Sequence, residues 1–223
     1  MNVSYQDVVR FHGHECPGLS LGIRAAEVAV ARLGRHGPGN ELVAVTETDA
    51  CAVDAVQFLT GCTFGKRNLV HRDHGKVAFA FWRRSDGAGV RVRAKAGTDA
   101  YRDEQTQALA GRIEDGSATP EERARFAELQ AARVKRILAA PAGSLLDVED
   151  VTGPVPEAKP VGPNAPCEGC GDLTATAILH DHRGRLLCPP CHLDAHGGVL
   201  PPDHAHHGHS HGHPHSQPHA HSH

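Results

Sequence analysis

Four cysteines in two close pairs, Cys167-Glu168-Gly169-Cys170 and Cys188-Pro189-Pro190-Cys191, constrain this chain more tightly than any other feature. Seventeen residues separate the pairs. Each two-residue spacer sets two sulfurs on one side of a small ion, and four thiolates complete a tetrahedral sphere. A complete sphere leaves no position for a substrate, so the reading is structural Zn2+. The segment from Cys167 to about His196 is too short to fold on a core of its own, and the metal supplies the missing free energy. A redox dithiol at Cys188 and Cys191 would call for a large βαβ unit, which the segment does not have room for. His180, His182, His192 and His196 lie in or beside the module and read as solvated surface side chains rather than as a second ligand set.

A second metal-competent stretch lies near the N-terminus: Phe11-His12-Gly13-His14-Glu15-Cys16-Pro17-Gly18. From Pro17 the apolar residues Leu19, Ile23, Ala26, Val30 and Leu33 recur at helical spacing, so Cys16 falls at the helix N-cap. There the unpaired amides and the positive helix end favour thiolate over thiol. Cys51 also stands near a helix start, flanked by Asp49 and Asp54. With His12 or His14, the two cysteines would form a three-ligand site with an open position. Imidazole and thiolate together suit zinc, nickel, copper or iron rather than magnesium. Asp49 or Asp54 would then orient the ligand histidine. The competing reading makes Cys16 and Cys51 small buried hydrophobes. Cys62, just past Gly61, reads as packing. Gly61 to Arg67 only glances at a phosphate-binding loop, with too few residues between its glycines and no hydroxyl after Lys66.

With 223 residues, 39% of them hydrophobic, the chain has enough material for one main domain and something smaller. Ser4 caps a short helix, Glu41 to Thr46 reads as a strand, and Thr48 or Asp49 caps a helix from about Cys51 to Leu59. Lys76 to Trp82 and Val90 to Ala94 read as a hairpin across a Gly-rich turn, followed by helices from Asp99 to about Asp115 and from Pro120 to Leu138. Five prolines in the fourteen residues 153–166 mark a linker. The expected organisation is therefore a core domain at 1–152, a linker at 153–166, a zinc module at 167–200 and a disordered histidine-rich tail at 201–223. A formal net charge of −3 gives no reason to expect nucleic acid or a membrane as partner. The first residues lack a basic or apolar stretch, so the expected location is cytoplasmic, where thiols stay reduced.

The N-terminal motif, continued through Leu19, Gly22 and Arg24, resembles the opening signature of the FmdE-like family, which takes its name from a component of formylmethanofuran dehydrogenase. Asp49-Ala50-Cys51-Ala52-Val53-Asp54-Ala55-Val56-Gln57 is similar to that family's second signature, and Leu59 to Lys66 and Gly75 to Phe81 continue the likeness. The resemblance covers roughly residues 4 to 150. It implies an α+β fold with a β-sheet packed on helices, a homodimer, and a metal held by the His/Cys signature. Some members carry a treble-clef-type zinc finger, which Cys167, Cys170, Cys188 and Cys191 match. By this carry-over His14, Cys16 and Cys51 are the core ligands, with His12 as the substitute, and the ion is Zn2+, Ni2+ or Fe2+. Arg67 stands where a small residue is expected and His74 where an aromatic one is. The family name implies association with a molybdenum or tungsten enzyme of one-carbon metabolism.

From His204 to His223 half the residues are histidine, interspersed with Gly, Pro, Ser, Ala and Gln. Imidazoles that titrate near pH ~6.5 are mostly neutral in a cell and free to take up nickel, zinc or cobalt. The expected function is a metal-binding accessory protein that holds or delivers a transition metal for a partner metalloenzyme. One alternative is a metalloenzyme with an open His/Cys site. Another is a zinc-finger regulator, though Cys167 to His196 offers only Arg183 and Arg185 for phosphate contacts.

Overall fold

The computed structural model describes residues 4–34, 41–99, 103–158 and 162–198. The chain divides into two compact units at Ala158. In the first, helix α1 (Tyr5–His12) starts at Ser4, whose hydroxyl accepts the Asp7 N–H while the Asp7 carboxylate accepts the Ser4 N–H. It ends at Gly13, whose φ of 97° is left-handed backbone that glycine adopts without strain. Helix α2 (Pro17–Leu33) follows with Cys16 as its N-cap. Next come β1 (Leu42–Thr46), α3 (Ala52–Thr60), β2 (Leu69–His71), β3 (Ala78–Arg83) and β4 (Gly89–Ala94). Helices α4 (Glu104–Glu114), α5 (Pro120–Ala139) and α6 (Ala142–Leu145) lead into β5 (Leu146–Val151).

The five strands form one sheet in the order β2-β1-β3-β4-β5, antiparallel except for β1 with β2. Its helix-facing side carries Ala44, Phe79, Phe81, Val90 and Val92, packed with Leu21, Ala25, Ala29 and Leu33 of α2. A second apolar cluster, Val8, Leu19, Ile23 and Ala55, ties α1, α2 and α3 together. The expected α+β class, a sheet packed on helices, is what the structure shows.

Several elements depart from the sequence reading. Strand β2 is too short to show an alternating pattern, and the alternation in β5 is limited to Leu146-Asp147-Val148-Glu149. β2 is a three-residue edge strand that follows a loop anchored by buried Asn68, whose side-chain amide donates to the Leu42 carbonyl at 3.1 Å and accepts the Thr63 N–H at 2.9 Å. In β5 the acidic residues Asp147 and Glu149 pair across the strand boundary with Arg93 of β4. Helix α4 begins at Glu104, capped by Asp103, rather than at Asp99. The N-cap of α3 is Cys51 itself, because the Thr48 hydroxyl instead accepts the Ala50 N–H.

In the second unit β6 (Asn164–Pro166) pairs with β7 (Leu173–Ala175), and β8 (His180–His182) pairs with β9 (Arg185–Leu187). Helix α7 (Pro189–Ala195) follows directly. Asn164 to Pro166, read from sequence as linker, thus form a strand beside the cysteine module. Residues 201–223, read as a disordered tail, lie outside the described residues, as do the module's last two, 199 and 200.

Candidate metal centres

The N-terminal centre is built by two helices that start side by side. A Cβ on Gly22 of α2 would fall 2.2 Å from the Ala52 carbonyl oxygen, and one on Gly18 would fall 3.2 Å from the Cys51 Cβ. At Gly22 only glycine allows that approach and at Gly18 a larger residue would be tight, and the approach brings Cys16 and Cys51, the N-caps of α2 and α3, together. Helix α1 supplies His12 from its last turn. The ligand atoms of His12, Cys16 and Cys51 all lie within 4.8 Å of one another.

Asp54, one turn into α3, sets the direction of His12. Its Oδ2 is 2.7 Å from His12 Nδ1, and the imidazole ring is only 10% exposed. The proton therefore sits on Nδ1, and Nε2 faces Cys16 Sγ at 3.8 Å. A carboxylate behind an imidazole is the arrangement that fixes tautomer and raises basicity in metal-ligating histidines. The sulfurs are prepared as well. The Cys51 thiol is lowered to about 5, first by the hydrogen bond from Cys16 and then, against burial, by His12. Cys16 is pushed upward by the proton it shares with Cys51 and by burial, while its sulfur accepts the Leu19 N–H at 3.3 Å. The pair thus holds a thiolate beside two positive helix ends.

The structure leaves other candidates outside this centre. His14 lies past the Gly13 turn and is exposed, its ring centroid 4.5 Å from that of His12. Asp49 is exposed. Cys62 is fully buried in the main core and packs as expected. His74 pairs with Glu47 at 3.2 Å, away from the sulfurs. Arg67 sits at φ 59°, left-handed backbone that a glycine would occupy more easily. Cys16 and Cys51 line one wall of a cavity of about 370 Å³, whose other walls include Thr48, Gln107, Gln130 and Arg133. The Gln130 Oε1 is buried there without a hydrogen-bond partner.

The second centre joins Cys167, Cys170, Cys188 and Cys191, again within 4.8 Å of one another. Cys170 Sγ and Cys188 Sγ are 3.8 Å apart. Two sulfurs bound at ~2.3 Å in tetrahedral geometry stand about 3.8 Å apart, so this edge already has the dimension of a filled site. Cys167 Sγ accepts the N–H groups of Gly169 at 3.3 Å and Cys188 at 3.1 Å. Amides of Cys188 and Cys170 lower its thiol to about 6, whereas crowding by Cys188 and Cys170 pushes Cys191 up to about 12. A cation is what allows all four to ionise together. Gly169 is needed for closure, since a Cβ there would meet Cys191 Sγ at 2.9 Å. Both donor sets fit a transition ion.

The histidines of this unit differ from the sequence reading. His182, His192 and His196 converge, and His192 is buried rather than solvated. The signal available was the four-residue spacing of His192 and His196 on a helix.

Residues 11–147 match the family model described as FmdE, molybdenum formylmethanofuran dehydrogenase operon. A curated relative from Archaeoglobus fulgidus, a probable S-adenosyl-L-methionine-binding protein, is 32% identical over 190 residues. That match takes in 81% of this chain and 50% of the relative, so the chain spans about half the length of the protein it matches. Among solved structures, a tungsten formylmethanofuran dehydrogenase FmdE-like protein from Syntrophus aciditrophicus superimposes with a TM-score of 0.55 at 26% identity. The superposition covers 86% of this chain and 93% of that one.

Proposed function

This chain belongs to the FmdE family, and we propose that it works there as a metal-holding accessory protein rather than as a free-standing catalyst. His12, Cys16 and Cys51 would hold an exchangeable transition ion, Zn2+, Ni2+ or Fe2+, with a position left open. Cys167, Cys170, Cys188 and Cys191 would hold structural Zn2+. The observation that carries the reading is the 2.7 Å contact of Asp54 with His12, which aims Nε2 at the two sulfurs. Bound there, the ion would supply a Lewis-acidic centre whose open position suits transfer to another ligand set.

The accessory role is supported by how the carboxylates are used. Asp54 is engaged with His12, while Glu15 and Asp49 stand exposed. The carboxylate that the centre does engage, Asp54, is used to orient a ligand rather than to move a proton. The partner in this reading is a molybdenum, tungsten or other metal-dependent redox enzyme of one-carbon metabolism, served by a cytoplasmic homodimer.

The test is metal analysis of protein purified without a nickel column, in a full-length chain whose ten histidines from His204 to His223 are replaced by serine. Cys51→Ser in that background is expected to carry one transition-metal ion fewer per chain and to leave the sheet unit folded. Equal metal content in the two proteins would remove the core centre, and with it the proposal.

A further inference from the structure

The cysteine module carries a histidine cluster that its four-sulfur centre does not use. His192 and His196 lie four residues apart in and just after α7, so both rings project from one side of the helix. The β8–β9 hairpin lays His182 against them. Ring centroids stand 4.8 Å apart for His182 and His196, 4.6 Å for His192 and His196, and 5.9 Å for His182 and His192. One nitrogen of each ring lies within 4.8 Å of the others, and His182 Nδ1 is 3.3 Å from His196 Nε2.

That last distance fits a hydrogen bond between the two rings and equally two nitrogens that share one ion. Two imidazole nitrogens on one tetrahedral ion at ~2.0–2.1 Å stand about 3.3 Å apart. The rings are also braced. His180 stacks on His192 with a centroid separation of 4.6 Å and an interplanar angle of 20°. His192 is only 9% exposed. Helix α7 is itself anchored by its N-cap, Cys188, and by Cys191, so the cluster rests on a segment the four-sulfur centre already fixes.

We propose that His182, His192 and His196 form a third metal site, a three-imidazole centre for a divalent transition ion of the Zn2+ or Ni2+ class. Nitrogen donors alone select such ions over magnesium or calcium, and three ligands leave room for water or an incoming ligand. The site is separate from the four sulfurs and independent of the core centre.

The experiment is calorimetric titration of Ni2+ into zinc-loaded, full-length protein with its ten tail histidines replaced by serine. The same protein carrying His182→Ala and His196→Ala is expected to bind one Ni2+ fewer per chain, with its four-sulfur zinc retained. Cys51→Ser in the tail-substituted background is expected to keep the imidazole-bound Ni2+, which separates this site from the core centre. Should the double variant also lose its zinc, His196→Gln is read instead by X-ray absorption, where imidazoles on the module's nickel should fall from three to two. Unchanged Ni2+ stoichiometry in the double variant, or an unchanged imidazole number in His196→Gln, would overturn the site.

Discussion

Asp54 gives the core centre its direction. Its hydrogen bond leaves His12 with one acceptor nitrogen, and that nitrogen points at Cys16. Asp54→Asn is therefore expected to weaken metal binding at this centre by about 10–100-fold without changing its stoichiometry. Competition with a chromophoric chelator measures this, and an unchanged affinity would show that His12 needs no orientation. The cysteines were legible in the sequence because both precede helices. The histidine was not settled by spacing, which admits His12 or His14 equally, and the family resemblance put His14 first. The structure brings His12 to the sulfurs because Gly13 ends α1 in left-handed backbone and carries His14 past it into solvent. The choice of Asp54 over Asp49 depends on a contact across 42 residues of chain, which only the packing of α1 on α3 reveals.

Among the elements, the ends with local chemistry were readable and those held from a distance were not. The capping boxes at Ser4 and Thr119, the left-handed Gly13 and Gly61, and the turn between β3 and β4 all declare themselves in a few residues. β5 does not, because its acids are satisfied by Arg93 on the neighbouring strand. A similar cross-strand pairing holds the rim of the sheet. Glu47, just past β1, accepts from Arg91 of β4 at 2.7 Å and contacts His74 at 3.2 Å. Burial works to raise the Glu47 carboxyl, but Arg91 and His74 outweigh it and leave it below the usual carboxylate range. A folded-state value below the unfolded one means that the stabilisation is complete above the ordinary glutamate pKa, ~4.3, and is lost as pH falls through the lower folded value. Glu47→Gln should thus cost about 1.5–3 kcal/mol at pH 7, with the difference from wild type shrinking below about pH 4. Urea unfolding at both pH values checks it, and a pH-independent difference would mean that packing rather than charge is at work.

At the scale of the whole chain, the two units rest on different physics. The first has a continuous apolar core of helices on a sheet. Among its described residues the second buries an apolar cluster of Cys167, Leu187 and Cys188, with His192 beside it. Removing metal with a strong chelator at neutral pH is expected to unfold residues 162–198 while the sheet of the first unit keeps its protected amides. Hydrogen exchange reads both at once, and a module that stays protected without metal would not be a zinc-dependent fold. The cysteine spacing made the module legible, and the proline-rich stretch announced a boundary. The strand at Asn164–Pro166 was hidden by the same prolines, since an edge strand tolerates them where a central one does not.

The central claim is that Cys16 and Cys51 ligate a transition ion with His12. Its most direct test is Co2+ substitution of the tail-substituted chain, read by thiolate-to-cobalt charge-transfer absorption against Cys16→Ser/Cys51→Ser. With both centres filled there are six Co–S bonds, four in the module and two in the core, so the double variant should lose about a third of the band intensity. Identical band intensity in the two proteins would mean that the core cysteines bind no metal, and that only the four-sulfur centre does.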